Sequence, residues 1–245
     1  MHVEAAANGV LQWLAKSGPN SFLSRLYALK FRRQEVIYDA GAPLTHVLFP
    51  VRGSLAINVV TKNREMELGV VDHSGCYGYF GCDAVTQSPY KVIVESEGTG
   101  FGIDRDALRE ELQRDPTSVR RFEVERALLL AVASQAAACS GLHQMEQRIC
   151  RRLLEAVDRS GSTELVSTHD YLARALGVRR PTVSEILGSI EERNLISQSR
   201  GRMRILDFAA MERLSCACYA ALKEQRRRLV DGCEATGIQS AAAQP

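Results

Sequence analysis

No stretch of this 245-residue chain is apolar for long enough to cross a bilayer. The longest such run, Ala127 to Ala133, falls far short of the roughly 20 residues that a spanning helix needs. A secretory leader is not expected either, because the N-terminus carries an acid at Glu4 and no basic segment ahead of an apolar one. The seven cysteines (Cys76, Cys82, Cys139, Cys150, Cys216, Cys218 and Cys233) are odd in number and lack the paired CxxC rhythm of a zinc site. They imply no disulfide framework, and the expected compartment is cytoplasmic with no membrane partner. Enzyme signatures are missing too: there is no GxSxG, HExxH, phosphate-binding P-loop or dinucleotide fingerprint. His46, His143 and His169 have no evident acid or nucleophile beside them in sequence, so no catalytic residue, metal site or cofactor is assigned. His73, Cys76 and Cys82 read as packing or surface residues, since a reactive thiolate needs an electropositive neighbourhood that the sequence does not supply.

What is present is an ordinary globular composition, 45% hydrophobic and 24% charged, in a chain long enough for two domains with a core each. The charge is uneven. Residues 1–147 hold 15 Lys and Arg against 17 Asp and Glu, and residues 148–245 hold 16 against 12, so a net of −2 gives way to +4. The back half is the better face for a polyanion.

From Phe31 to Ile103 the short β-branched or apolar runs VIY, HVLFPV, SLAINVV, MELGVV and KVIVES alternate with Gly, Pro, Asn and Asp. This predicts an antiparallel sandwich, barrel or roll. Leu108–Leu112 suggests a short helix, and Asp115-Pro116 starts the next. From Thr117 to Cys139 neither Gly nor Pro interrupts a helix in which Phe122, Leu129 and Ala136 recur every seventh position, with Glu125, Val132 and Cys139 offset by three. Phe122, Leu129, Val132 and Ala136 are the expected dimer seam, and packing on the chain's own β domain is the competing use of that face. A second helix, MEQRICRRLLEAVDR, is expected after a break at Gly141. Cys216 and Cys218 fall in a helical stretch where they would project to different faces.

The strongest signal runs from Thr168 to Ile196, THDYLARALGVRRPTVSEILGSIEERNLI. Two helices crossing over a tight turn need a small residue at the crossing, a residue tolerant of positive φ, and apolar anchors on both inner faces. Ala173, Gly177 and the set Leu172, Leu176, Val178, Val183 and Ile186 meet those needs. Thr168 is the expected N-cap of the first helix, and Pro181 suits the first turn of the second. Anchoring Val183, Ile186, Leu187 and Ile190 inward turns Arg180, Ser184 and Glu185 outward as candidate base-reading residues. Thr168, Arg179, Thr182, Arg200 and Arg202 are candidate phosphate contacts. The run LISQSRGRMRILD then predicts a basic-tipped hairpin, a wing. A regulatory module that acts on a protein partner instead of DNA is the alternative use of such a pair of domains.

With those motifs in view, the chain resembles the CRP/FNR family of transcription regulators from about Phe22 to Tyr219. The likeness is carried by AGAPLTHVLFPVRGSLAI near the start and by LARALGVRRPTVSEILGSIEERNLI followed by a wing. The resemblance implies an α+β architecture: an N-terminal antiparallel β jelly-roll of the cyclic-nucleotide-binding type, a long dimerisation helix and a C-terminal winged helix-turn-helix. The corresponding boundaries are 1–115 for the β-roll sensor with an N-terminal helix, 116–140 for the dimer helix, 141–230 for the DNA-binding domain and 231–245 for a disordered tail. The implied partners are double-stranded DNA with a roughly palindromic site, a second copy of the chain, and RNA polymerase. The sequence departs from the family pattern at Pro181, where members commonly carry an acid after the matching arginine. It departs again at YGYFGCDAVTQSPYKVIV, where the cyclic-nucleotide phosphate cassette would stand: Tyr79 follows Gly78, Cys82 follows Gly81, and Lys91 is the only cation. A lone Lys cannot make a bidentate phosphate clamp. An effector pocket is expected around Tyr79, Phe80, Cys82 and Lys91, for a small molecule other than a cyclic nucleotide held in that way. An iron–sulfur sensor like that of the family's oxygen-responsive branch is not expected, because no cysteine precedes Cys76.

Overall fold

The computed structural model describes residues 7–17, 21–62, 64–81 and 85–241. They form two compact units: residues up to Val59 with Gly69–Ala131 and those from Gln225 onward, and Val60–Leu68 with Val132–Glu224.

In the first unit α1 (Gly9–Ser17) and α2 (Ser21–Ser24) precede β1 (Tyr27–Phe31), β2 (Val36–Tyr38), β3 (His46–Pro50), β4 (Ser54–Thr61), β5 (Arg64–Val71), β6 (Lys91–Ser96) and β7 (Gly98–Asp104), with the hairpin residues Val60–Leu68 of β4 and β5 counted in the second unit. The strands make a three-stranded sheet ordered β1-β7-β3 and a four-stranded sheet ordered β2-β6-β4-β5. The pairs β1–β7, β3–β7, β2–β6 and β4–β6 are antiparallel, which is the roll that the alternating apolar runs foretell. The exception is instructive. β7 reads GTGFGID, a composition that strands avoid, yet it is the middle strand of its sheet. The ring of Tyr27 lies across Gly102, where an added Cβ would come within 2.6 Å of it, so the glycine marks a close approach and not a turn.

Buried Asn8 fixes the start of α1. Its Oδ1 accepts from the N–H groups of Val10 and Leu11, and its Nδ2 donates to the carbonyls of Pro50 and Gly75 at 2.7 and 2.9 Å. Helix α3 (Arg105–Arg114) is longer than the five residues expected and is capped by Asp104, whose carboxylate accepts from the N–H groups of Asp106 and Ala107.

Helix α4 (Pro116–Leu142) contains the predicted long helix and runs through Gly141, where a break was expected. Its early turns complete the roll's core. Phe122 is fully buried, with its ring centroid 6.3 Å from that of Phe49 and 4.8 Å from that of Tyr79. Phe122 is therefore a core residue of its own roll, which is the competing use expected for that helix face. Glu125, polar in an otherwise apolar seam, is buried in an ion pair with Arg121 at 2.6 Å and also accepts from the N–H of Cys76. Burial pushes its carboxyl above the usual range, and the Arg121 charge opposes that shift.

In the second unit α5 (Met145–Ser160) opens with a capping box between Gln144 and Gln147 and ends at Gly161. It is followed by β8 (Glu164–Val166), α6 (His169–Leu176), α7 (Arg180–Glu192), β9 (Ile196–Ser199), β10 (Arg202–Ile205), α8 (Phe208–Leu214) and α9 (Cys218–Ala241), of which the residues from Gln225 on belong to the first unit. Ile149, Leu153, Leu154, Leu172, Val183, Leu187, Ile190 and Met211 form the core, all at most 1% exposed. Buried Arg152 pairs with Glu67 at 2.8 Å, and the Tyr171 hydroxyl donates to the same carboxylate oxygen. Helix α9 continues through Ala241, so residues 231–241, expected to be a disordered tail, are helical. No proline interrupts them, and an Arg227–Asp231 pair one turn apart supports the helix at 3.2 Å.

Candidate nucleic-acid interface

The turn between α6 and α7 is built as the sequence requires. Thr168 caps α6 by accepting from the N–H of Tyr171 at 3.1 Å. Gly177 ends the helix at φ +69°, a left-handed conformation open to glycine at little cost. Its N–H and that of Val178 close back on the carbonyls of Arg174 and Ala173. Pro181 sits in the first turn of α7, where a missing N–H breaks no hydrogen bond. With Val183, Leu187 and Ile190 buried, the leading end of α7 presents Arg179, Arg180, Pro181, Thr182 and Glu185 to solvent.

The wing is a two-stranded hairpin in register Ser199↔Arg202, turning through Arg200 and Gly201 at φ +40° and +77°. Its other strand edge pairs with β8, making the sheet β8-β10-β9. Met203 and Ile205 point inward, and Arg200, Arg202 and Arg204 stand exposed. The wing turn approaches the cap of α6: a Cβ on Gly201 would lie 3.5 Å from Cγ2 of Thr168. Thr168, whose hydroxyl proton remains to donate, thus shares one edge with the wing.

Two of the predicted readers are held in ways the sequence did not reveal. Arg180 places its Nε 3.5 Å from Asp170, with both side chains about two-thirds exposed at 64% and 65%. A pair that open to water is worth at most about 1 kcal/mol and exchanges readily for a better partner. Ser184 is half-buried and bonded to Nδ1 of His169 at 2.7 Å. The other ring nitrogen of His169 meets Oε1 of Gln198 at 2.6 Å, and Gln198 donates from its backbone and side-chain nitrogens to the Glu191 carboxylate at 2.7 and 2.9 Å. Because Gln198 offers its oxygen to the imidazole, Nε2 is the protonated nitrogen and Nδ1 accepts from the Ser184 hydroxyl. This chain runs from Ser184 of α7 through His169 of α6 to Gln198 of β9 and back to Glu191 of α7, and ties α7 to the wing. His169 was expected to lack partners, and only its place at the head of α6, opposite Ser184, brings them to it.

The remaining predicted positions are dispersed. On α4, Leu129 is partly buried against the roll's second apolar cluster, and Val132 and Ala136 are half-buried. The exposed apolar stripe lies one position round, at Ala127, Leu130, Ala137, Ala138 and Leu142, with Leu130 69% and Leu142 78% exposed. Tyr79 and Phe80 enter different clusters. Tyr79 stacks toward Phe122 and donates to Glu123 at 3.2 Å, whereas Phe80 packs edge-on to Tyr77 and near Tyr90. Lys91 opens β6 opposite Asn58 of β4, and Cys82 lies outside the described residues. Phe80 packs against the apolar cluster that contains Phe31, Tyr38 and Tyr77, with the Tyr77 hydroxyl bonded to Ser88 at 2.7 Å. Among the described residues no helix is long and apolar enough to cross a membrane.

Residues 147–214 match the family described as the Crp-like helix-turn-helix domain. Over 194 residues the chain is 30% identical to the transcriptional regulator LdrP of Thermus thermophilus, covering 75% of this chain and 94% of that protein. It is 22% identical over 184 residues to the cAMP-activated global transcriptional regulator CRP of Escherichia coli O157:H7, covering 72% and 88%. Among solved structures, FixK2 from Bradyrhizobium japonicum superposes with a TM-score of 0.69 at 16% identity, over 78% of this chain and 98% of that one. That likeness is one of fold.

Proposed function

The chain belongs to the CRP/FNR family of transcription regulators, and on that premise we propose that it binds a roughly palindromic DNA site as a homodimer through α7 and the wing. The observation that carries this reading is that Arg179, Arg180 and Thr182 at the start of α7 and Arg200 and Arg202 of the wing are all exposed, with the wing turn lying beside Thr168 at the cap of α6. In this reading Arg180 reads guanine O6 and N7, and Glu185 accepts from cytosine N4. Ser184 contributes mainly by holding α7 to His169, its lone pairs remaining for a base-edge donor. Thr168, Arg179, Thr182, Arg200 and Arg202 neutralise or hydrogen-bond phosphates.

Two such edges reach successive major grooves when two copies associate, about 34 Å apart. The exposed stripe of α4 from Ala127 to Leu142 supports that association, because small residues let two helices approach closely around Leu130. Such a regulator works in the cytoplasm with RNA polymerase as its downstream partner. A small-molecule effector, if it acts on the roll, does so without the phosphate cassette, and the aromatic filling around Phe80 supports a mode that does not insert a cyclic nucleotide there.

Selection of bound sequences from a pool of randomised duplexes tests the reading. It should return a two-fold symmetric motif, and Arg180→Ala should lose about 1–3 kcal/mol of discrimination at one base of each half-site. Unchanged preference at every position in that variant would remove Arg180 from base reading.

A further inference from the structure

The cysteines left unassigned by the sequence come together in the second unit. Cys139 and His143 stand one helical turn apart at the end of α4, Cys216 lies in the segment joining α8 to α9, and Cys218 is the first residue of α9. Cys216 is thus not in a helix at all, and the expectation that it and Cys218 face apart does not hold; both are buried with Cys139 in a cluster of their own. The Sγ atoms of Cys139 and Cys216 are 3.6 Å apart, and Sγ of Cys218 is 3.4 Å from Nδ1 of His143. All four ligand atoms lie within 4.8 Å of one another.

We propose that Cys139, His143, Cys216 and Cys218 form a closed, four-coordinate Zn2+ site that clamps the end of α4 to the α8–α9 joint. Zinc–sulfur and zinc–nitrogen bonds of about 2.3 and 2.0–2.1 Å set tetrahedral edges of about 3.8 Å between sulfurs and about 3.6 Å between sulfur and nitrogen. The Cys139–Cys216 and Cys218–His143 separations are close to those edges, and the wider ones, up to 4.8 Å, would close by about 1 Å around a bound ion. An iron–sulfur cluster, which interposes iron and sulfide between its thiolates, needs wider spacing. Three Cys and one His are also a ligand set typical of structural zinc, leaving no open position for substrate.

The surroundings fit a group of negative ligands better than they fit plain apolar packing. Gln135 directs Nε2 at Sγ of Cys218 from 2.9 Å, as an outer donor to a metal-bound thiolate would. Arg151, largely buried and paired with Glu155 at 2.7 Å, keeps its Nε without a hydrogen-bond partner among the described residues, and it interacts electrostatically with both Cys139 and Cys216. One Zn2+ and three thiolates carry a net charge of −1, which that guanidinium offsets. On binding Zn2+ each of the three thiols gives its proton to solvent, so affinity rises with pH.

The test uses the full chain, purified under reducing conditions and titrated with Zn2+ or Co2+ alone. One metal per chain is expected, and Co2+ should show the ligand-field bands of a tetrahedral ion together with thiolate-to-cobalt charge transfer. Chelation should lower the thermal midpoint. Cys216→Ser should abolish the charge-transfer intensity of one thiolate and weaken binding at least about 100-fold, whereas His143→Cys, which preserves a four-ligand set, should still bind one metal. Reduced, folded chain that takes up neither ion overturns the proposal. So does octahedral cobalt without charge transfer, or a Cys139–Cys216 disulfide that persists in reductant and excess zinc. Because the site is apart from the arginine edge, these readouts stand whether or not the chain binds DNA.

Discussion

The roll and the winged helix each bury an Arg–Glu pair, but they differ in what they leave outside. In the roll the large aromatic side chains are turned inward: Phe49, Phe122 and Tyr77 are buried to within 2% of completely, and the Arg121–Glu125 pair is buried beside Ser74 and Cys76. In the winged helix the core is mainly Leu, Ile, Val and Met beside the buried Arg152–Glu67 pair, and the arginines of α7 and the wing are left in water. One region is shaped to fill its own interior, the other to hold a charged edge rigid. The difference teaches where function resides: a cation carries information to a partner only if no internal acid has already claimed it. Arg180 meets that condition with one loose, exposed contact, and Arg121 does not.

Helix α4 contributes residues to both units, and substitutions along it separate the two roles. Phe122→Ala should destabilise the roll by about 3–5 kcal/mol, seen as an early unfolding transition, because it empties a filled aromatic site. Leu130→Glu should leave that transition in place and weaken self-association by about 3 kcal/mol, some 100-fold, when followed by analytical ultracentrifugation. If Phe122→Ala instead gave a stable monomer, the heptad seam read from the sequence would be right and the exposed stripe irrelevant. A smaller effect sharpens the other side. Ser184→Ala removes the hydroxyl that bonds His169, so it should cost about 0.5–1.5 kcal/mol of stability in the winged helix, measured by chemical denaturation. The amides of Gln198 and the wing should exchange hydrogen faster in that variant. Unchanged exchange there would show that the Ser184–His169–Gln198–Glu191 chain does not hold the wing.

The helix-turn-helix was legible because its constraints are local: the positive φ at Gly177, the proline in the first turn of α7 and the apolar spacing around Val183 all act within a few residues. The features that escaped depend on distant partners. Gly102 looks like a strand breaker until Tyr27 is laid over it, and Phe122 looks like a seam residue until Phe49 and Tyr79 surround it. His169 gains its role only when Ser184 and Gln198 fold back to it. The Cys–His cluster joins positions 77 apart in sequence, Cys139 and Cys216. Its only local traces are the CxC pair and the one-turn spacing of Cys139 and His143, and neither is the CxxC pattern by which zinc sites are usually recognised.

The most direct measurement of the central claim is the affinity of the purified chain for its selected duplex over a range of salt concentrations. Arg179, Arg200 and Arg202 on each of two protomers would displace condensed counterions. The logarithm of the association constant should therefore fall linearly with the logarithm of salt, with a slope near about −5, and Arg202→Ala should reduce its magnitude by about 2 in the dimer. A chain that ignores duplex DNA at low ionic strength, or binds it with a slope close to zero, would contradict the account.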